Sequence, residues 1–248
     1  MTAVAGIPPD LLRKFIVRTT VWIVFLAIVL FGAAGTIRWA PGWVYLGFLA
    51  VMSFASGPWL ARHDPALFRE RLGSFFQKEQ KGWDKLWMIP MLVVWLGGLV
   101  LMALDGGRYH WSHVPLWLQV IGFILICSGF WLSMLTFKAN SYAAPVVKVQ
   151  KERGHKVVTT GPYAYVRHPM YSGALLFSAG TALLFGSWWG LVAVALFAVV
   201  IAVRAVLEEE TLKAELDGYA GYAAQSPLPA HSSRLVAQAG KRLFIFRP

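Results

Sequence analysis

The sequence predicts an all-α, polytopic membrane protein of about six transmembrane helices, the last two forming a C-terminal helical hairpin. Three observations carry that expectation. Only 14% of the 248 residues are charged, whereas an ordinary soluble domain has about 25%. Hydrophobic residues make up 57% of the chain, and its mean hydropathy is +0.56. These residues also gather in runs of the length that crosses a bilayer as a helix, about 17–25 residues.

The first run covers residues 17–37 and the second 43–60; the third and fourth cover 86–104 and 116–137. Residues 171–207 then form one apolar stretch, too long for a single crossing and long enough for two. Gly186-Ser187 supplies a tight turn in its middle, and Trp188-Trp189 suits the interfacial belt where indoles collect. The N-terminus is mixed in composition and lacks a small-residue cleavage site, so no cleaved signal peptide is expected. The single cysteine, Cys127, lies in an apolar run and reads as a small buried hydrophobe. No inverted repeat of the transporter kind is visible.

Six spans put both termini on one side. Of the 23 Lys and Arg residues, only Arg38 and Arg108 then fall on the opposite side. The positive-inside rule makes the crowded side, with both termini, cytoplasmic, in a plasma membrane or a bacterial inner membrane. The formal net charge of +11 is thereby explained by loops facing anionic headgroups, and nucleic acid is not an expected partner. The expected partners are the lipid bilayer and a lipophilic substrate, with the oligomeric state left open. Three regions follow: a four-span region 1–137, a catalytic region 138–222 that includes the hairpin, and a tail 223–248.

Three polar segments converge where the hairpin opens on the basic side. They are residues 150–158 (Gln-Lys-Glu-Arg-Gly-His-Lys-Val-Val), residues 161–171 (Gly-Pro-Tyr-Ala-Tyr-Val-Arg-His-Pro-Met-Tyr), and residues 204–210 (Arg-Ala-Val-Leu-Glu-Glu-Glu). Singly, each has an ordinary reading as a turn, a headgroup anchor or a solvated helix end. Together they place a cation, an imidazole, carboxylates and aromatic rings at the boundary of an apolar hairpin, where ionisable groups are costly unless paired or facing a wet cavity. Arg204 and Glu208, at i and i+4, share one helix face. No second metal-ligating residue stands at ligand spacing from His168, so no metal is expected.

Gly-Pro-Tyr-x-Tyr-Val-Arg-His-Pro-Met-Tyr-x-Gly, followed about 30 residues on by Arg-x-x-x-Glu-Glu-x-x-Leu, resembles the isoprenylcysteine carboxyl methyltransferase family. That family belongs to a wider group with the phospholipid N-methyltransferases. The resemblance covers residues 140–222. Leu216-Asp217-Gly218-Tyr219 is a shortened form of the family pattern, associated with bacterial members. The resemblance implies an S-adenosylmethionine-dependent methyltransferase, with the methyl group directed toward a lipid-accessible tunnel. It implies cofactor contacts from Gln150, His155, Lys156, Val157, Val158, Gly161, Tyr163, Arg167, His168, Pro169, Met170, Tyr171 and Glu208. Arg204 matches the residue assigned to a substrate carboxylate, and Arg204 and Glu208 are the expected catalytic pair.

Such chemistry needs positioning and desolvation of the acceptor more than a general base, because the donor carries its own electrophile. The acceptor is expected to be an isoprenylcysteine-type carboxylate or a related lipid or small amphiphile. A transporter or channel is the alternative, which predicts polar residues at mid-membrane depth. A sterol-reductase-like oxidoreductase is another, which predicts a nicotinamide-binding pattern.

Overall fold

The computed structural model describes residues 7–225 apart from 75 and 78, and all its regular structure is helical. The tail 226–248 therefore lies outside the described residues. Eight α-helices follow in order: α1 (Pro9–Ala34), α2 (Ala40–His63), α3 (Pro65–Arg71), α4 (Gly82–Ala103), α5 (Leu116–Ala139), α6 (Pro169–Leu184), α7 (Trp188–Glu215) and α8 (Tyr219–Gln225). The helix starts obey local chemistry. Pro9 and Pro65 occupy first-turn positions where a missing N–H costs nothing, and Asp64 accepts from the Leu67 N–H at 2.9 Å. Ser187 caps α7 by accepting from Gly190 N–H at 2.9 Å.

α1, α2, α4 with its π-helical extension Leu104–Tyr109, α5 and α7 are long and apolar enough to cross a bilayer. The first helix of the expected hairpin is shorter. α6 has 16 residues, about 24 Å at 1.5 Å per residue, against a hydrocarbon core of about 30 Å. It begins at Pro169, two residues before the apolar run, and residues 161–168 ahead of it form a short 3₁₀ turn and an irregular link. The expected turn stands at residues 185–187, and α6 and α7 pack against each other.

Stripes of large apolar residues face outward at helical spacing. Val17, Val21 and Ile28 form one on α1, and Val192, Leu196 and Val199 form another on α7. In water such stripes would be costly; in lipid they are the expected surface of a multi-pass membrane protein. The interior is built from Leu26, Leu30, Tyr45, Leu99, Met102, Ile126 and Phe185.

Antiparallel pairing decides which loops meet. Along α4 and α7, Trp83 Nε1 donates to Thr211 Oγ1 (3.3 Å) and Trp87 Nε1 to the Val200 carbonyl (3.1 Å). The end of α7 therefore lies beside the start of α4. On α5 and α6, Gly122 faces Leu184 and Gly129 faces Phe177, so the end of α5 lies beside the start of α6. At the opposite end, the fully buried Asp105 accepts from Ser112 N–H (2.8 Å), Ser112 Oγ (2.6 Å) and Ser187 Oγ (2.5 Å). That carboxylate pins the α6–α7 turn to the end of α4 and leaves the other end of the bundle to hold the loops.

Candidate functional site

Between α5 and α6 the chain runs through residues 140–168 with no regular structure beyond two 3₁₀ turns, Lys151–Arg153 and Gly161–Ala164. This segment, the first turn of α6, the last three turns of α7 and α8 enclose a cleft. The space it encloses is about 780 Å³, part of it open to solvent.

Most of the residues singled out by sequence line it: His155, Lys156, Val157, Val158, Tyr163, Arg167, His168, Pro169, Met170, Tyr171 and Glu208. Gln150, Gly161 and Arg204 do not. Gln150 is fully buried behind the wall, donating from Nε2 to the Tyr142 carbonyl (3.0 Å) and accepting from Arg153 Nη1 (2.5 Å). Gly161 sits at φ +60°, where an L side chain would be strained, and turns the chain into the Pro162-Tyr163 corner. Arg204 is 4% exposed and its donors are occupied: Nε by Asp84 Oδ1 (2.9 Å), Nη1 by Tyr171 Oη (2.8 Å) and Nη2 by the Pro145 carbonyl (3.2 Å).

The ionisable groups form two linked sets. In one, Tyr171 accepts from Arg204 and donates to Glu208 Oε2 at 2.5 Å, so its hydroxyl has a fixed direction. The Tyr171 ring stacks on His168, with centroids 5.2 Å apart and planes 11° apart. In the other, Glu209 accepts from Arg167 Nη1 (3.0 Å) and Lys213 Nζ (3.3 Å), and its Oε1 lies 3.3 Å from His168 Nε2. Adjacent glutamates thus serve different purposes: Glu208 faces the cleft, and Glu209 clamps the 167–168 link to α7.

Aromatic rings complete the walls. Tyr163 Oη accepts from Asn140 Nδ2 (2.8 Å), and burial pushes that phenol up to about 12. Tyr222 Oη donates to the Tyr163 carbonyl at 2.8 Å. Tyr142 stacks on His155, with centroids 4.3 Å apart. Tyr219 also lines the cleft, 5% exposed, with a buried hydroxyl that has no hydrogen-bond partner among the described residues. A buried phenol left in that state is costly unless a ligand satisfies it.

Several of these residues were not foreseen. Tyr219, Tyr222, Leu212 and Leu216 come from the end of α7 and from α8. Leu212, Leu216 and Tyr219 stand in the sequence only as parts of the family-like pattern, without a cleft role, and the spacing 212, 216, 219, 222–223 is the further signal that groups these residues. Asp84, 120 residues before Arg204, reads in sequence as an ordinary first-turn helix acid.

His155 gives the wall a pH dependence. Burial first, then the nearby Arg153 charge, lowers its pKa below the ordinary 6.5, with Glu152 opposing. Its Nδ1 accepts from the Gln150 N–H at 3.3 Å, which requires the neutral ring. A depressed histidine favours the fold fully above its unfolded pKa, and that contribution is lost as pH falls through the lower folded value. Hydrogen exchange in residues 150–158 is therefore expected to accelerate as pH is lowered from 7 to about 5, relative to the intrinsic rate. His155→Gln should flatten that change; an identical profile in the variant would remove His155 as its cause.

Comparison with known proteins bears on the same segment. The phospholipid methyltransferase family matches residues 117–216. A protein-S-isoprenylcysteine O-methyltransferase of Schizosaccharomyces pombe is 29% identical over 131 residues, covering 46% of this chain and 55% of that protein. Protein-S-isoprenylcysteine O-methyltransferase B of Arabidopsis thaliana is 33% identical over 82 residues, covering 33% and 39%. The Xenopus laevis enzyme of the same description is 41% identical over 71 residues, covering 27% and 24%. The chain thus spans about half or less of the length of these relatives. The family match thus falls on the segment that builds most of the cleft, and the similar proteins are isoprenylcysteine O-methyltransferases.

Proposed function

We propose that this protein is a membrane-embedded methyltransferase that takes S-adenosylmethionine in the cleft and methylates a lipophilic or amphiphilic acceptor drawn from the bilayer. The observation that carries the reading is Glu208. It is a carboxylate oriented by Tyr171, facing a cleft walled by tyrosines, on the segment that matches the phospholipid methyltransferase family.

The residues present suit such a cofactor. Val157, Val158, Leu212 and Leu216 offer apolar surface for a purine, and the unpartnered Tyr219 hydroxyl offers a hydrogen bond. Tyr163 brings to the cleft an aromatic ring of the kind beside which a cation is stabilised by about 0.5–2 kcal/mol. When bound, S-adenosylmethionine would supply the electrophilic methyl group. The chain's own part is to hold the reactants in line and exclude water, with Glu208 on the cationic portion of the donor. His155, Lys156, Arg167, Pro169 and Met170 would form the remaining contacts, while Gln150 and Gly161 hold the loop that carries them. No general base is required for a carboxylate acceptor such as an isoprenylcysteine-type acid, which is the class suggested by the names of the relatives.

The cleft lies at the bundle end to which a six-span topology assigns nearly all the Lys and Arg residues, and on that ground we assign it and both termini to the cytoplasmic side. Residues 138–222 would then be the catalytic region, held in place by the four spans of residues 1–137.

Isothermal calorimetry of the full chain in detergent with S-adenosylhomocysteine tests the reading. Saturable one-to-one binding is expected; absence of binding by the wild-type protein would overturn it.

A further inference from the structure

Arg204 and Glu208 sit one helical turn apart, the spacing at which opposite charges on a helix ordinarily pair. They do not pair. Arg204 reaches across the bundle to Asp84 instead, and Tyr171 Oη stands between the guanidinium and Glu208. Asp84 is fully buried, and both its oxygens are engaged. Oδ1 takes Arg204 Nε, and Oδ2 takes Gln80 Nε2 and the Val147 N–H, each of these two at 2.8 Å. The Asp84 carboxylate therefore has one geometry, set by α4, by the preceding link and by the 140–168 segment at once.

We propose that Asp84 is a positioning residue of the donor site: by holding Arg204 across the bundle, it leaves the Glu208 carboxylate open to the cationic part of the bound cofactor. The inference rests on the reading of the cleft given above. Its physical basis is charge. A guanidinium 4% exposed must find an anion, because an unpaired buried charge is strongly unfavourable. Among the described residues, the acids hydrogen-bonded into the Arg204 network are Asp84, directly, and Glu208, through Tyr171. With Asp84 satisfying Arg204, the negative charge of Glu208 remains for a ligand. Without the Asp84 charge, Glu208 becomes the partner within reach, and Arg204 competes with the ligand for it. Arg204 then acts through Tyr171 and Glu208 rather than as a direct clamp on an acceptor carboxylate. Asp84 thus ties the region before residue 117, outside the family match, to the donor site.

The test is a double-variant cycle, read by S-adenosylhomocysteine calorimetry and by thermal unfolding of the ligand-free protein. Asp84→Asn keeps the size and removes the charge, and is expected to weaken binding about tenfold. Adding Arg204→Met removes the misdirected cation, so the double variant is expected to bind more tightly than Asp84→Asn alone. A purely structural role for Asp84 gives no such rescue, because the second substitution only removes further contacts. Gln80→Met, which loosens Asp84 while keeping every charge, should show a smaller loss in the same direction, and it covers the case in which Asp84→Asn does not fold. Wild-type affinity in Asp84→Asn, a double variant no better than the single one, or unchanged affinity in Gln80→Met would each overturn the proposal. Failure of the wild-type protein to bind would instead overturn the cofactor reading beneath it.

Discussion

Glu208→Gln is expected to weaken S-adenosylhomocysteine binding by about 10- to 100-fold, the usual worth of a hydrogen bond to a charged group, and to abolish measurable methyl transfer. The change is nearly isosteric, so what is lost is charge. Glu208 Oε2 receives the Tyr171 hydroxyl, which is itself held by Arg204. An amide that turns its NH₂ toward Tyr171 leaves the hydroxyl proton without an acceptor, since Arg204 can only donate, so the loss reaches beyond one contact. Glu209→Gln, one residue on, should behave differently. Glu209 is committed to Arg167, His168 and Lys213, and its substitution loosens the link before α6. Its signature is a lower unfolding temperature of the ligand-free protein, with a smaller loss of affinity at a temperature where the protein remains folded. Paired calorimetry and thermal unfolding on the two variants check this contrast. Equal affinity of Glu208→Gln and wild type would remove Glu208 from the cofactor site.

That division of labour between neighbouring glutamates marks the limit of what the sequence could reveal. Long apolar runs with period-independent hydrophobicity announce membrane helices regardless of their partners. The turn at Gly186-Ser187 and the segments entering and leaving the hairpin were legible for the same local reason. Side-chain pairing across the bundle was not. Glu208 and Glu209 are equivalent in any pattern, and only the position of Tyr171 and Arg167 on other elements separates them. Arg204 carried a motif but not its partner, since Asp84 lies 120 residues away and behind a different helix. Tyr219 was visible as part of a pattern, but its importance comes from burial without a partner, a property that only packing defines.

Gly180→Ala, a single added methyl group, is expected to cost about 1–3 kcal/mol or more through overpacking, and to lower the unfolding temperature in detergent by several degrees. α5 and α6 meet through glycines seven residues apart on each helix: Gly122 and Gly129 on one, Gly173 and Gly180 on the other. In membrane bundles such small residues let backbones approach closely where no hydrophobic force separates lipid from protein. A Cβ on Gly180 would lie 2.4 Å from the Gly122 carbonyl oxygen and 2.7 Å from Ile126 N; one on Gly129 would lie 2.5 Å from the Gly173 carbonyl oxygen. These neighbours are backbone atoms and cannot rotate away, so the helices must separate. Separation displaces α6, whose first turn carries Pro169, Met170 and Tyr171, from α7, which carries Arg204 and Glu208. The Tyr171 hydroxyl then loses its alignment between them, and ligand affinity should fall together with stability. Gly97→Ala is the control: nothing lies within 4 Å of its Cβ, and alanine is the better helix former by up to about 1 kcal/mol. It should unfold at or above the wild-type temperature. If Gly180→Ala and Gly97→Ala unfold together, the close glycine seam is not what sets the distance between the helix that opens the cleft and the helix that closes it.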